Sequence, residues 1–389
     1  MPFASPQAPR FAKDVPGLLK EPLNTSTPRI FVAATRMNDG KTTTCLGLYG
    51  ALHALGYRTG YIKPIAQRLI VVDNVSVDED TQLINKIYDV NIPIAAMSPV
   101  AIDPAFTRRY LDNPDALRPQ VVDKICRAFD RSAYEKDIII IEGSGHAGVG
   151  AIFDCSNASN AHLLKSKCLI VAGGGIGKPV DEVAINKALF DKMGVECIGV
   201  ILNKVLPDKI EFIREYVGKG LARLGVPLLG VLPLRERLAK PNLAQIVQEI
   251  DGRWLHRPLQ HAGERIQKVI MGAMSANTIS EYLGPGVLVI MPGDREDLLF
   301  SLIASAGVHN STVACGIILT NNLHPNARLL EMLRQTSIPV VGTDAESFAV
   351  TTKINNMTVK TQPEDADKIP VIESLIQENI DLPALLKML

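Results

Sequence analysis

The segment NDGKTT near the amino terminus has the residue types of a phosphate-binding loop. Its members are Asn38, Asp39, Gly40, Lys41, Thr42 and Thr43. In such a loop backbone amides surround the phosphates, the lysine reaches the β- and γ-phosphates, and the threonine after it places its hydroxyl on magnesium. The consensus loop begins with a glycine five residues before its second glycine. This chain has Thr35 there, so an ordinary turn with a surface lysine is the alternative interpretation.

The segments on either side of the loop favour the phosphate site. Residues 29–35, RIFVAAT, form an apolar run that is typical of a buried strand. Residues 41–56, KTTTCLGLYGALHALG, carry apolar residues at helical spacing and end in a glycine. Because a phosphate loop must follow a strand and open a helix, this context predicts a nucleotide site.

Three further charged residues, Lys63, Asp80 and Glu142, stand where strands are predicted to end or helices to begin. Ligands bind at the carboxyl ends of strands in open α/β sheets. A polyphosphate needs cations and magnesium with oxygen ligands, which these side chains can supply. Lys63 could instead be a solvated strand end. Asp80 could be only a helix N-terminal charge, with Asp78 or Glu79 as the actual ligand.

Short β-branched runs alternate with helical patterns between about residues 28 and 235. This alternation predicts an α/β fold of the P-loop NTPase type, with a parallel sheet covered by helices on both faces. A second strand and helix series begins near residue 250. The sequence therefore predicts a flexible tail at 1–27, a nucleotide-binding domain at 28–249 and a smaller α/β domain at 250–389.

Composition excludes several classes of protein. Lys plus Arg and Asp plus Glu number 41 each, which argues against a nucleic-acid or anionic-membrane partner. No apolar run reaches the roughly 18 residues that span a bilayer, and no signal peptide is apparent. The 6 cysteines lack metal-site spacing, and free thiols fit a cytoplasmic location. The glycine-rich segment 173–179 lacks the G-x-G-x-x-G spacing of dehydrogenases.

The motifs, taken in order, resemble dethiobiotin synthetase and the related amide-forming synthases of cobyrinic and cobyric acid biosynthesis. The loop of that family starts with a small residue six before the glycine of Gly-Lys-Thr, here Ala34. The resemblance implies ATP and Mg²⁺ as cofactors and a homodimer. It assigns catalysis to Lys41 and Lys63. The positions that it implies for metal and base are Thr42, Asp80 and Glu142 for magnesium, and Asn203 and Pro233 beside adenine.

The order of the two predicted domains is similar to the N-terminal half of long bacterial phosphate acetyltransferases. The second domain resembles the DRTGG domain, of which Gly293, Asp294 and Arg295 are the recognisable remnant. Asp294 and Arg295 could form a small-molecule site, or could simply start a helix. The acetyltransferase domain of those enzymes is absent from the sequence. The resemblance implies a standalone regulatory protein that binds Mg-ATP, with an acetyltransferase-type partner.

An ATP-dependent ligase that activates a carboxylate or carbamate for attack by an amine is the alternative. The segments IAQRLIVV (residues 65–72) and EGSGHAGVG (residues 142–150) depart from the dethiobiotin synthetase pattern on the organic-substrate side, so diaminopelargonate is disfavoured as a substrate.

Overall fold

The computed structural model describes residues 17–258, 264–309 and 314–389. The chain forms two compact units: Met1–Leu234 together with Thr361–Leu389, and Arg235–Lys360. Up to residue 233, the strands and α-helices are β1 (Arg29–Ala34), α1 (Lys41–Ala54), β2 (Thr59–Ile62), β3 (Ile65–Ala66), β4 (Leu69–Val72), β5 (Val75–Asp78), α2 (Glu79–Tyr88), α3 (Ile94–Met97), β6 (Val100–Ala101), α4 (Pro104–Asp112), α5 (Pro114–Ala133), β7 (Ile138–Glu142), α6 (Asn157–Leu163), β8 (Lys167–Gly173), α7 (Gly177–Lys192), β9 (Cys197–Val205), α8 (Ile210–Arg223) and β10 (Leu228–Pro233).

The remaining elements continue in chain order. They are α9 (Glu236–Ala239), α10 (Leu243–Glu249), β11 (Arg253–His256), β12 (Lys268–Met271), α11 (Ala276–Ile279), β13 (Val287–Pro292), α12 (Glu296–His309), β14 (Gly316–Thr320), α13 (Ala327–Arg334), β15 (Val340–Gly342), α14 (Ser347–Asn356), α15 (Ile369–Asn379) and α16 (Leu382–Lys387).

A six-stranded sheet with the order β10-β9-β8-β1-β7-β2 is the centre of the first unit. All of its strand pairs are parallel. Every residue of β1 and β7 is buried, because helices cover both faces and leave no side of the central strands to water. Side chains of α5, α6, α7 and α8 form one core with the sheet, and α1 contacts β1, β2 and β7. The predicted fold class is confirmed.

The carboxyl-terminal segment belongs to the first unit, which differs from the predicted second domain at 250–389. Helix α15 packs along α1, and a Cβ on Gly47 would lie 2.2 Å from Ile376 Cγ1. Glu373 of α15 accepts a hydrogen bond of 2.7 Å from the Tyr88 hydroxyl. Residues 44–52 of α1 are all buried. A helix that is apolar on all sides needs cover beyond the sheet, and α15 supplies it.

Part of the predicted tail at 1–27 packs against the first unit. Residues 1–16 lie outside the described residues, whereas residues 17–27 pack against α5. The Leu19 amide donates to Asp123 Oδ1 at 2.7 Å, and the Asn24 amide donates to Asp130 Oδ1 at 2.8 Å. Two carboxylates of α5 thus hold this segment in place. The Pro, Ser and Thr content of the segment had predicted a loose tail, because composition does not show such hydrogen bonds.

The second unit contains a five-stranded sheet of order β11-β15-β14-β13-β12, parallel except for β11 at its edge. Arg295 follows β13, and its guanidinium donates to the carbonyls of Gly272 at 2.8 Å and Met274 at 3.1 Å. It also pairs with Asp297 at 2.8 Å. These contacts favour the interpretation that Asp294 and Arg295 start a helix, over the alternative that they form a small-molecule site. In the described parts of both units, no helix is long and apolar enough to cross a membrane.

We expect Ile376→Ala to destabilise the first unit by about 2–4 kcal/mol, because it removes a fully buried side chain and leaves a cavity against α1. Ile185→Ala, at an exposed position of α7, is the matched control and should change stability by less than about 0.5 kcal/mol. Urea unfolding of both variants measures the difference. Equal stabilities would show that α15 does not complete the fold.

Candidate functional site

The loop between β1 and α1 places a glycine at the start of the helix. Gly40 has φ of 100° and is the N-cap of α1, and its carbonyl accepts the Thr44 amide at 2.9 Å. A φ in this range is costly for residues that carry a Cβ. A Cβ on Gly40 would also lie 1.9 Å from Asn203 Nδ2. The glycine of Gly-Lys-Thr is therefore required by both backbone conformation and space.

The end of β9 holds this loop through two consecutive carbonyl groups. Asn203 Nδ2 donates to the Asp39 carbonyl at 2.9 Å, and Lys204 Nζ donates to the Asn38 carbonyl at 2.7 Å. The Asn203 Oδ1 accepts the Lys204 amide at 2.8 Å. Both polar atoms of the Asn203 side chain thus have partners within the chain. Its predicted contact with adenine stays a prediction, since each of these atoms can make one further hydrogen bond.

A polar network on the first half of the loop was not foreseen from the sequence. Asp39 Oδ2 accepts the Thr35 hydroxyl at 2.7 Å and the Arg36 amide at 2.9 Å. Arg36 Nε lies 3.1 Å from Glu182 Oε2 on α7. Thr35 stands where the consensus has glycine, and its hydroxyl helps to hold Asp39. Hydrogen bonds from Thr35 and Arg36 to Asp39 therefore stabilise this loop, which lacks the first consensus glycine.

A buried cluster of charges lies at the carboxyl ends of the neighbouring strands. Lys63 Nζ follows β2 and lies 2.8 Å from Asp78 Oδ1 and 3.7 Å from Glu142 Oε1, and it also donates to Asp80 Oδ2. Although burial acts to lower it, these carboxylates hold the pKa of Lys63 well above its usual value. The cluster keeps a cation at a site from which water is largely excluded.

Glu142 connects this cluster to the phosphate-loop segment. Its Oε1 accepts the Thr42 hydroxyl at 2.8 Å, and its Oε2 accepts the Tyr61 hydroxyl at 2.8 Å. Burial raises the pKa of Glu142, and the Lys63 ammonium opposes that shift. Burial also lowers the pKa of Lys41, which interacts electrostatically with Glu142. A half-buried lysine whose charged form is disfavoured gains from any anion that approaches it.

The structure brings most of the predicted residues to one edge of the sheet. Lys41, Thr42, Lys63, Asp80 and Glu142 interact with one another. Around them, Asn38, Asp39, Gly40 and Thr43 form the loop and the first turn of α1, with Asn203 against it. Pro233 ends β10 and pairs in register with Val205 of β9, so it belongs to the same sheet edge without a contact to the charge cluster.

Sequence reasoning missed the parts played by three residues. Asp78 was weighed only as an alternative ligand, yet it contacts Lys63 and accepts the Gln67 amide at 3.0 Å. Tyr61 lies in β2, whose residues are all buried, so nothing in the sequence pattern signals its hydroxyl contact with Glu142. Lys204 has φ of 60° and its Nζ donates to the Asn38 carbonyl, and neither was predicted from the sequence.

The comparison with protein families agrees with this architecture. A family model described as an AAA domain matches residues 28–242, and a DRTGG-domain model matches residues 245–357. The first match covers more than half of the 389 residues. The chain belongs to this AAA-domain family. Its AAA domain is of the P-loop class and is followed by a DRTGG domain, as the motif order predicted.

Curated relatives of this AAA-domain protein include phosphate acetyltransferases. The Pseudomonas aeruginosa enzyme is 26% identical over 374 residues, which cover 90% of this chain and 50% of that protein. The Nitrosomonas europaea enzyme is 25% identical over 372 residues, with 92% and 51% covered. The chain thus spans about half the length of the curated relatives that it matches. The predicted resemblance to the N-terminal half of long phosphate acetyltransferases is confirmed.

Solved structures give weaker similarities. The MinD cell division protein of Aquifex aeolicus has a TM-score of 0.34 and 16% identity, covering 55% of this chain and 84% of that chain. The CBS and DRTGG domains of a Clostridium perfringens pyrophosphatase, complexed with the activator diadenosine tetraphosphate, have a TM-score of 0.27 and 18% identity, covering 37% and 61%. These scores are too low to carry an argument about function.

We expect Gly40→Ala to destabilise the first unit by at least about 1–2 kcal/mol, from the left-handed conformation alone, with the close approach of Asn203 adding to this cost. Gly218→Ala is the matched control, because Gly218 lies inside α8 with nothing within 4 Å of a new Cβ. That variant should be stabilised by about 0.5–1 kcal/mol. Urea unfolding that ranks the two variants in the opposite order would contradict the loop geometry.

Lys63→Met should destabilise the first unit by about 3–5 kcal/mol near neutral pH, because it leaves buried carboxylates without their cation. Burial already raises the pKa of Glu142, and the variant loses the Lys63 ammonium that opposes this shift, so its folded state binds more protons than its unfolded state. Stability should therefore recover as the pH falls from about 8 to about 5. Lys219→Met, at an exposed position of α8, is the control. Unfolding curves with the same pH dependence for both variants would refute the charge cluster.

Proposed function

We propose that the first unit binds a nucleoside triphosphate, with ATP as the ligand that the family resemblance favours. The observation that carries the proposal is the loop between β1 and α1, with Gly40 at the N-cap of a 14-residue helix. The helix N-terminus favours negative charge, and the first amides of a helix have no partner within it. The half-buried Lys41 beside this terminus provides the cation for the phosphate chain.

Magnesium is the second part of the proposal. Thr42, Asp80 and Glu142 offer hydroxyl and carboxylate oxygens, which are the ligands that magnesium prefers. Asp80 and Glu142 both face Lys63 Nζ, so their oxygens already converge on one place. Within the described residues, no group of three or more His, Cys, Asp or Glu side chains is arranged to hold a metal ion. A site with two carboxylates fits a magnesium that completes its shell with phosphate oxygens and water.

When bound, magnesium would neutralise charge on the phosphate chain. The protein's own residues would then orient that chain: the loop amides fix its position, Lys41 offsets its charge, and Thr42 and Glu142 hold the metal side. Lys63 would keep Asp78 and Asp80 in place or approach a transferred phosphoryl group. Positioning and electrostatics of this kind supply most of the catalysis in phosphoryl transfer.

We further propose that this nucleotide site is a regulatory one, with the DRTGG-containing unit as the part that modulates it. Support comes from the match to half of each phosphate acetyltransferase. The homodimer, the acetyltransferase-type partner and the cytoplasmic location rest on the sequence alone and stay predictions.

The amide-forming ligase stays a prediction without a contact that favours it. Lys63 would be the cation for an organic carboxylate, yet its ammonium already contacts three carboxylates of the chain. Release of ADP or phosphate measured with and without amine acceptors tests this alternative. Turnover that depends on an amine would establish a ligase, and binding without such turnover would support the regulatory proposal.

Lys41→Ala should weaken Mg-ATP binding by about 2–4 kcal/mol, because a partly desolvated ammonium is lost from the phosphate site. Removal of magnesium with a chelator should weaken binding to the wild-type protein as well. Titration calorimetry measures both effects. Lys192→Ala, at an exposed position at the end of α7, is the control and should bind like wild type. Unchanged Mg-ATP affinity in the Lys41 variant would exclude the proposed site.

A further inference from the structure

The hairpin formed by β4 and β5 is separate from both main sheets. Among the described strands, β4 and β5 pair only with each other. Asp73 and Asn74 in the turn have φ of 48° and 62°, as in the type I′ turn that suits an antiparallel hairpin. The amides of Gln67 and Arg68 donate to Asp78 Oδ2 at 3.0 and 3.3 Å, and Asp78 belongs to the buried charge cluster. The hairpin is therefore held in a defined orientation.

Strand β4 exposes three consecutive apolar side chains. Leu69, Ile70 and Val71 are 36%, 37% and 73% exposed. No residue of β4 is charged or a proline, although charges and prolines are what usually protect an exposed strand from pairing with another chain. This composition is typical of a strand that another strand covers.

One edge of β4 also carries backbone groups that do not face β5. The Glu79 amide donates to the Arg68 carbonyl at 3.0 Å, and hydrogen-bonded pairs alternate along an antiparallel ladder. The even-numbered residues of β4 therefore bond to β5, while the N–H and C=O groups of Leu69 and Val71 point to the opposite edge. That edge offers donors and acceptors at the spacing of a further strand.

The outer edge of β5 packs against the first unit instead. The Asp78 amide donates to Ser98 Oγ at 3.0 Å, and β5 contacts β6 and α3. In the described hairpin, the β4 edge is thus the one that is open to another strand. Pairing through one edge alone closes with two chains and does not continue into a filament.

The two ends of β4 carry opposite charges. Arg68 precedes the strand and Asp73 follows it, and both residues are exposed. Arg68 also contacts Glu79 at 3.3 Å on the surface of the hairpin. When two copies of β4 pair antiparallel about a two-fold axis, the Arg68 end of each copy meets the Asp73 end of the other. The strand is therefore complementary to itself in charge as well as in its apolar side chains.

We propose that the free edge of β4 is an interaction surface for a second copy of this chain, with β4 paired to β4 in one continuous antiparallel sheet. In the register that pairs both outward-pointing residues, Leu69 of one copy opposes Val71 of the other, and the two Ile70 side chains meet at the two-fold axis. The strand has 4 residues, so the contact is short compared with a standard interface and the dimer dissociates on dilution. This surface depends neither on nucleotide binding nor on the family resemblance.

Sedimentation velocity of the full chain over a concentration series, without nucleotide, measures the dimer directly. Val71→Lys should raise the dissociation constant of the dimer by at least about tenfold, because it places two ammonium groups in one apolar contact. Ile185→Lys is the matched control, since Ile185 on α7 is also 73% exposed, and it should dimerise like wild type. A wild-type chain that stays monomeric at tens of micromolar would overturn the proposal, as would a Val71→Lys chain that dimerises like wild type.

Cross-linking tests the strand pairing itself and stays informative if Val71→Lys misfolds. The 6 native cysteines are all buried, so the new thiol of Ile70→Cys is the accessible one. With oxidised glutathione this variant should form a covalent dimer, since the Cβ atoms of directly opposed residues lie about 4.5–5.5 Å apart. Ile185→Cys is the control and should stay uncross-linked. If Ile70→Cys sediments as a dimer and yet forms no covalent dimer, the two β4 strands do not pair and the proposal is wrong.

Discussion

The ammonium of Lys63 among the carboxylates of Asp78, Asp80 and Glu142 is the interaction on which the site depends. Each carboxylate comes from a different place: the end of β5, the start of α2 and the end of β7. Like charges in a buried place repel and are poorly solvated. Without a shared cation, holding the ends of these elements together would cost free energy.

This constraint also explains the order around the phosphate loop. Glu142 is fixed on one side by Lys63 and Tyr61, so it can hold the Thr42 hydroxyl at the start of α1. On the other side, the loop is held by β9 and by the network of Arg36, Asp39 and Glu182. The helix start thus lies between two sets of polar contacts, each of which belongs to a different strand end.

Much of this arrangement could be predicted from the sequence, because its signals are local. The apolar run of residues 138–141 and the Gly-Lys-Thr segment report directly on a buried strand and a loop before a helix. Parallel strands then place Lys63 and Glu142 at one edge without further information. Contacts across the sheet could not be predicted in this way. The Tyr61 hydroxyl and the Lys204 side chain have partners that only the folded register reveals.

The place of the carboxyl-terminal segment could not be predicted for a related reason. A change of pattern near residue 250 marks where a second series begins, but no local feature marks a return to the first unit. Helix α15 resembles any amphipathic helix of an α/β chain, and its true partner, α1, precedes it by most of the sequence. The small residues Gly47 and Gly50 leave room for side chains of α15.

The return of α15 sets the order in which the two units can be completed on the ribosome. Domains generally fold as they emerge, with the N-terminal one first. In this chain the second unit is synthesised in full before α15 exists, so it can finish folding while the apolar side of α1 is still uncovered. The first unit is therefore the first to be synthesised in part and the last to be completed. During that interval a chaperone or nascent-chain partner has access to a surface that the finished protein does not offer.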